Sequence, residues 1–423
     1  MESFLKTDVL IVGAGASGIP AAVGAARTAA RAARTAQVTL IEEDPVIGGA
    51  TTDYGVDMLC GGPVTGVMKE VEEILRARYS PTPEAYFFLP GSFQRAFWQL
   101  LNAEPNLRVI TGARVIETLV EAGRVVGVRA ERGLGRTLTI HSQITVDATG
   151  TGAVSILAGC TPMYGRDAQS DFGEPHAPPE RDLEVQECTW MYISQRLGDG
   201  PEFDMMKLDH VRLGVLVNGL GWFHENPERA MRLRRGIYLH WGCRVRCADT
   251  RDSVELGKAQ TEALQAMERD HALLREAGYA VYLAPRLGVR ESNRIRGEHV
   301  VSENDLRSGV LPPDTIAVGT YGIDIWGEYK GITIEERVTP AYGIPYRALL
   351  PLGVDNLLLA GRCISGSHLG MSAYRVMPIA ASIGQAAGVA AALCTAQNKT
   401  PRELSVQDVQ DVLRSQNMQI DFK

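Results

Sequence analysis

Asp8-Val-Leu-Ile-Val-Gly-Ala-Gly-Ala-Ser-Gly18, near the start of a chain of 423 residues, decides the fold. Val9 to Val12 read as a buried β-strand that runs into Gly13-x-Gly15-x-x-Gly18 at the mouth of a helix. Glycines there let the backbone approach a pyrophosphate, and the helix N-terminus favours its negative charge. Ala14 and Ser17 complete the turn. After the helix, Val38-Thr-Leu-Ile-Glu42 reads as a second strand, ending in a carboxylate suited to a ribose diol. Glu42 is preferred to Glu43 because it closes the strand. A GxGxxG occurs by chance, but the preceding strand, the following helix and the acid together make the dinucleotide reading specific.

Gly48-Gly49-Ala50-Thr51 then separates flavin from nicotinamide, because a second glycine turn can reach the pyrophosphate and ribityl side of an extended FAD. Two more apolar strands end in small residues and aim at the same crevice: Val146-Asp-Ala-Thr-Gly-Thr-Gly152 and Leu357-Leu-Leu-Ala-Gly-Arg362. The predicted cofactor is FAD. Its predicted contacts are Gly13, Ala14, Gly15, Ser17, Gly18, Glu42, Glu43, Gly49, Ala50, Thr51, Val115, Ala148, Thr149, Gly150, Gly361, Arg362, Arg375, Val376 and Met377. No second fingerprint appears: Gly133-Leu-Gly135 and Gly150-Thr-Gly152 lack a following βαβ unit, which disfavours a bound NAD(P)H domain.

Further segments run in order to the end of the chain: Leu287-Gly-Val-Arg-Glu-Ser-Asn-Arg294, Gly297 to Asp305, Tyr342 to Arg347, Ala360 to His368, Tyr374 to Pro378, and Gly384-Gln-Ala-Ala-Gly388. With these the chain resembles the FAD-dependent oxidoreductases of the glutathione-reductase-like superfamily. Within it, the resemblance is to the subgroup distantly related to succinate dehydrogenase and fumarate reductase flavoproteins. It implies an α/β fold with a discontinuous Rossmann-like FAD-binding domain, 1–165 and 335–423, carrying a small antiparallel sheet. A second α+β substrate or lid domain, 166–334, would cover the flavin. These motifs serve the flavin and leave the substrate open.

Local patterns fill in that plan. Helices are predicted over Val67 to Arg78, Phe93 to Leu101, Ser253 to Gly278 and Met377 to Leu393. The stripe Leu256, Leu264, Met267, Leu273 and Leu274 is predicted to be the buried face of the third. Leu107 to Ile110, Ala113 to Glu121 and Val125 to Arg132 read as strands of the small sheet, and Gln143 to Ala148 as the return to the main one. Pro-rich Ser80 to Glu84 breaks the pattern. The Ala-rich run Ala26 to Ala36 extends the first helix past the sheet edge, with Arg27, Arg31 and Arg34 on one solvent-facing side.

Composition bounds the function. A formal net charge of −7 with dispersed Lys and Arg leaves no footprint for nucleic acid. The start shows no leader-like pattern and no run of about 18 apolar residues occurs, so a cytoplasmic chain without a membrane span is expected. Seven scattered cysteines form no disulfide framework, and Cys243 and Cys247 suit a strand or loop better than a metal site. No metal is expected. A small-molecule substrate, an unidentified electron acceptor or donor, and a possible homo-oligomer are the expected partners.

In the enzymes the chain resembles, the loop matching Gly366 to Pro378 runs beside the flavin ring, and chemistry is expected there. Pro378 suits the first turn of the final helix, whose N-terminus would face the N1 and C2 carbonyl edge where charge collects on reduction. The catalytic candidates are His368, as a proton carrier near N5, Arg375, to orient a carboxylate or stabilise an oxyanion, and Arg290. Arg294 is a second choice, and Glu291 beside Arg290 leaves open that a buried ion pair is the purpose of that segment. Resembling sequences often have histidine where this chain has Trp326 in Asp324-Ile-Trp326. Trp326, Tyr321 and Tyr329 can stack on a substrate or simply pack. The reading is an FAD-dependent dehydrogenase or oxidase passing hydride between a small polar organic molecule and flavin N5. A monooxygenase or reductase fed by a separate donor, and an electron-relay subunit without substrate chemistry, are the alternatives.

Overall fold

The computed structural model describes residues 2–31, 36–56, 58–79, 88–198, 203–210, 237–327, 332–333 and 335–422. Arg34, Tyr329 and the Ser80 to Glu84 segment lie outside them. One large sheet organises the chain. Strand β1 (Glu2–Val12) pairs in parallel with β2 (Val38–Ile41), and β2 with β3 (Leu107–Ile110). On its other side β1 pairs in parallel with β6 (Thr137–Asp147) from Glu2↔Thr137 to Val12↔Asp147. Asp8 to Val12 are buried throughout, whereas Glu2, Phe4 and Lys6 are exposed, so the strand begins seven residues earlier than its apolar run at Val9. Pairing along β6 explains this: the alternating N-terminal half needs only one buried face.

The small antiparallel sheet predicted beside this one is not separate. β3 is the parallel edge of the main sheet, and the hairpin β4 (Arg114–Glu121) with β5 (Arg124–Glu131) continues it through β5 on β6. β6 is long enough for both tasks. Its first half, Thr137 to His141, bonds β5, and its end, Thr145 to Asp147, bonds the Leu357–Leu359 strand in parallel. The C-terminal ends of β2, β1, β6 and Leu357–Leu359 therefore lie side by side, the place where open α/β sheets bind ligands.

Helix α1 (Gly18–Ala30) follows β1, and helix Met377–Gln397 lies directly against it. The contact is made by small residues: a Cβ at Gly384 would stand 2.0 Å from Ser17 O, and one at Gly388 1.9 Å from Ala21 O. Met377–Gln397 is apolar and long enough to cross a membrane, but 83% of its most apolar window is buried inside the protein. Its all-round apolarity matches a helix in a core. In the described residues α1 ends at Ala30, short of the predicted overshoot, with Arg31 as its cap. Arg27 is not solvent-facing. It reaches Glu70 on α2 (Gly66–Arg78) and Glu104 just beyond α3 (Pro90–Asn102), clamping three helices, while Arg31 bonds Ser415.

Between residues 186 and 290 a second cluster of buried apolar side chains forms, around Trp190, Tyr192, Tyr238, Met267 and Leu287. Helix Ser253–Glu276 lies over it, near a three-stranded antiparallel sheet ordered Ile237–His240, Tyr192–Arg196, Tyr279–Leu283. The buried stripe of that helix is Ala259, Ala263, Met267, Asp270 and Leu274; Leu264 is exposed, and Leu256 and Leu273 are half-buried. Small alanines let the helix sit close. Asp270 is tolerated inside because its carboxylate accepts the backbone N–H of Asp209 at 2.7 Å and of His210 at 3.1 Å. Cys243 and Cys247 flank the short strand Arg244–Val245, and all seven cysteines are free.

Candidate cofactor cleft and active site

A cleft with about 1190 Å³ of open space runs across those four strand ends. Gly13, with φ +102°, turns the chain out of β1, and its N–H donates to Ile41 O at 2.8 Å. Gly18 belongs to packing, since a Cβ there would stand 1.7 Å from Gly13 O. Gly15 differs from both. A Cβ on it meets no protein atom nearer than Gly49 Cα at 3.9 Å, so the protein itself does not need a glycine there. Gly49, with φ +54°, comes up against Gly15, and Gly48 N–H bonds Ala14 O at 2.8 Å, so the two glycine turns form one wall. Ser17, at the N-cap of α1, is buried, and its Oγ has no partner in the protein. An open glycine face beside an unspent hydroxyl at a helix N-terminus fits a phosphate group.

Glu42 lines the cleft, with Oε2 accepting Ala14 N–H at 2.5 Å and Oε1 accepting Asp44 N–H at 3.1 Å. Burial pushes its carboxyl up, against the pull of the Ala14 N–H. Glu43 lines the cleft too. At the end of β6, buried Asp147 fixes the turn: one oxygen takes Thr149 N–H and Oγ1 at 3.2 and 2.6 Å, the other Ser155 N–H and Oγ at 2.9 and 2.7 Å. Arg362 donates Nε to Gly150 O at 2.8 Å and a second nitrogen to Val289 O, so its guanidinium staples that turn to the 287–295 segment.

Of the predicted contacts, Gly13, Gly15, Ser17, Glu42, Glu43, Gly49, Ala50, Val115, Ala148, Thr149, Gly150, Gly361, Arg362, Arg375 and Met377 line the cleft. Ala14, Gly18, Thr51 and Val376 do not. Ala14 is buried and presents its N–H to Glu42, Thr51 Oγ1 is buried 3.1 Å from Met377 Sδ, and Val376 packs over Gly61. Sequence reading missed Asp44, Asp53, Tyr54 and Arg286 at the mouth. Arg286 pairs with Asp44 across 242 positions, and its N–H bonds Asp53 O at 2.9 Å. No local pattern signals a partner so far away.

At the other end of the cleft the predicted loop is a helix. His368–Tyr374 is helical, Ser367 caps it through Gly370 N–H, and Arg375 ends it. The two catalytic candidates consequently face different spaces. Arg375 lines the large cleft, where its NH2 bonds Asp324 O at 3.0 Å and Oδ2 at 2.9 Å while its buried Nε has no partner. His368 lines a small neighbouring chamber with Trp326, Gln186, Arg166 and Arg246. Asp324 and Trp326 link the two spaces, since Asp324 Oδ2 also accepts Trp326 Nε1 at 3.0 Å and Tyr321 OH at 3.1 Å. Arg290 lies over the Trp326 ring at 4.0 Å and donates to Glu187 O at 3.1 Å. Burial, helped by nearby Arg375, pushes its guanidinium down to about 9. The buried ion pair left open for Arg290 and Arg294 is made by Arg294, which is fully buried on Glu291, Asp167 and the carbonyls of Gly165 and Gly366. Arg294 is thereby a core residue and no longer a catalytic candidate. Pro378 is the second helical residue, with Val376 as N-cap.

Among solved structures, the chain is similar to a geranylgeranyl bacteriochlorophyll reductase-like protein from Thermoplasma acidophilum, at 13% identity over 98% of this chain and 83% of that one, TM-score 0.44. It is similar to E. coli quinol fumarate reductase FrdA at 15% identity over 98% and 74%, TM-score 0.38. Likeness extends to p-nitrophenol 4-monooxygenase from Pseudomonas putida at 12% identity over 97% and 84%, TM-score 0.41. No curated protein matches the sequence. The family model described as FAD dependent oxidoreductase matches residues 8–413, nearly the whole chain. The chain belongs to the FAD-dependent oxidoreductase family, and its cofactor is FAD.

Proposed function

We propose that the protein transfers hydride between a small polar organic substrate and the N5 position of FAD, with residues 166–334 as the lid over the flavin. The carrying observation is the continuous cleft from Glu42 to Arg375, with a buried donor left unspent towards each end: Ser17 Oγ and Arg375 Nε. Gly13, Gly15, Gly49 and Ser17 would hold the pyrophosphate, Glu42 the ribose, and Met377 with the start of its helix the flavin edge.

Bound there, FAD supplies a two-electron hydride acceptor and donor. The chain's own groups then do the rest. Arg375 and Arg290 approach each other with Asp324 as the carboxylate beside them, so the site favours a substrate with a negative or strongly dipolar group. The Trp326 indole, held by Asp324, walls the site against water. His368 is the group placed to move a proton, through Nε2, because Nδ1 is 2.9 Å from Glu291 Oε1.

A screen of candidate substrates and electron acceptors, after anaerobic photoreduction, identifies the reaction. With a substrate in hand, His368→Asn and Arg375→Lys should slow flavin reduction by roughly two to four orders of magnitude at full FAD occupancy. Unchanged stopped-flow rates in both variants would move the chemistry elsewhere.

A further inference from the structure

The mouth of the cofactor cleft is acidic where an anion has to enter. Glu42, Glu43, Asp44 and Asp53 line it beside Gly15 and Gly49, yet the pyrophosphate assigned to that glycine wall is itself a dianion. Burial raises the carboxyls of Glu42 and Asp53, and the charges of Asp44 and Glu43 push both further the same way. Acids gathered at a cleft repel an anionic ligand unless a cation stands among them.

Four arginines line the same cleft: Arg114, Arg286, Arg362 and Arg375. Arg362 is held on the carbonyls of Gly150 and Val289, Arg375 on Asp324 at the other end, and Arg114 begins the edge strand β4. Among the described residues, Arg286 is the only cation in an ion pair with any of the four acids, through Asp44. Its charge also pulls the Asp53 carboxyl down, against burial. Bonds on both sides set its position: Ala284 N–H donates to Met191 O at 3.0 Å, Arg286 N–H to Asp53 O at 2.9 Å and Gly288 N–H to Thr189 O at 2.8 Å. Residues 284–288 are thus a strap from the 166–334 segment laid against the second glycine turn. The Arg286 side chain is 49% exposed, so its pair with Asp44 adds little to the stability of the fold. What the strap does provide is a positive charge at the mouth, which the glycine turns themselves lack.

We propose that Arg286 is a cofactor-binding residue, whose guanidinium, aimed by Asp44, offsets the pyrophosphate charge of FAD among the acids of the cleft mouth. The cofactor is then held jointly by the N-terminal glycine turns and by a side chain 242 positions beyond Asp44. The inference goes beyond the hydride-transfer reading and does not depend on it. It rests only on the pyrophosphate lying over Gly15.

The test titrates apoprotein with FAD, followed by flavin fluorescence, and with ADP as a competitor that carries the pyrophosphate without the flavin. Arg286→Ala should weaken FAD by roughly 3- to 10-fold at low salt, the size expected of a half-exposed charge facing a dianion, and ADP by a similar factor. The loss should shrink in about 0.5 M salt, and Arg286→Lys should recover part of it. Asp44→Asn separates a charge from a latch: asparagine still accepts the guanidinium hydrogen bond but removes one acid, so FAD should bind as tightly as to the parent or more tightly. Unchanged FAD and ADP affinity in Arg286→Ala overturns the inference. So does an equal weakening in Asp44→Asn, which would make the pair a structural latch, and so does a loss for FAD without one for ADP, which would place the effect at the flavin. A wrong cofactor placement shows separately, as full FAD affinity in Gly15→Ala.

Discussion

Gly15→Ala and Gly18→Ala should behave oppositely although they lie three positions apart in one motif. The new methyl at position 18 would stand 1.7 Å from Gly13 O and 3.2 Å from Ala148 Cβ, so the turn must move. Overpacking of this kind costs roughly 1–3 kcal/mol, and backbone on the receiving side puts the variant at the upper end. At position 15 the methyl meets only Gly49 Cα at 3.9 Å, an ordinary contact, and φ is not in the left-handed region. Apoprotein with Gly15→Ala should therefore be as stable as the parent, or about 0.4–1 kcal/mol more so, since alanine narrows the unfolded ensemble. The same methyl occupies the space assigned to the pyrophosphate. A cost of about 1–3 kcal/mol on the bound state alone is a loss of about 5- to 150-fold in affinity. Urea unfolding of the two apoproteins and FAD titration followed by flavin fluorescence separate stability from binding. Full FAD affinity in Gly15→Ala, or apoprotein destabilised as much as Gly18→Ala, refutes the assignment of that space to the cofactor.

Arg27→Ala should lower stability by roughly 1–2 kcal/mol in urea, because its partly exposed ion pairs with Glu70 and Glu104 join three helices; a change within error would mean solvent screens them fully. Glu42→Ala should weaken FAD binding and also loosen the Ala14 and Asp44 turns it holds, so affinity and apoprotein melting temperature should fall together; loss of affinity in Glu43→Ala instead would name the other carboxylate. Burial raises the Glu174 carboxyl above its unfolded value, with the charges of Asp167 and Glu303 adding to it. The folded protein then binds more protons than the unfolded one, so this group's contribution is present at low pH and lost as pH rises through the raised value. Melting temperatures of Glu174→Gln relative to the parent should accordingly improve from pH 5 to pH 7.5, and a constant difference would contradict the sign.

Much of this was legible in sequence because local chemistry dictated it. Val9 to Val12, Gly13 to Gly18 and Glu42 form a strand, turn and acid whose roles depend on near neighbours, and the structure places Val12, Gly13, Gly15, Ser17 and Glu42 on one cleft with Thr149, Gly150, Gly361 and Arg362. What stayed hidden depends on distant pairing. Nothing in Thr137 to Asp147 announces that its two halves bond different strands, and that merges two expected sheets into one. The polar look of Gly366 to Arg375 suggested a loop, yet Ser367 caps a buried helix there, and its serines and the Nδ1 of its histidine bond residues from elsewhere in the chain or that helix's own carbonyls. Arg27 and Arg294 have the same lesson: a charged residue in a pattern reads as solvent-facing or catalytic until its remote carboxylates are seen.

The structure of the FAD-loaded protein, determined by crystallography, tests the central claim most directly. The account predicts a pyrophosphate over Gly15 with Ser17 Oγ donating to it, the ribose on Glu42, and the flavin ring beside Met377 within reach of Arg375. FAD density elsewhere, or a ring at the Glu42 end with Ser17 Oγ still without a partner, would contradict it.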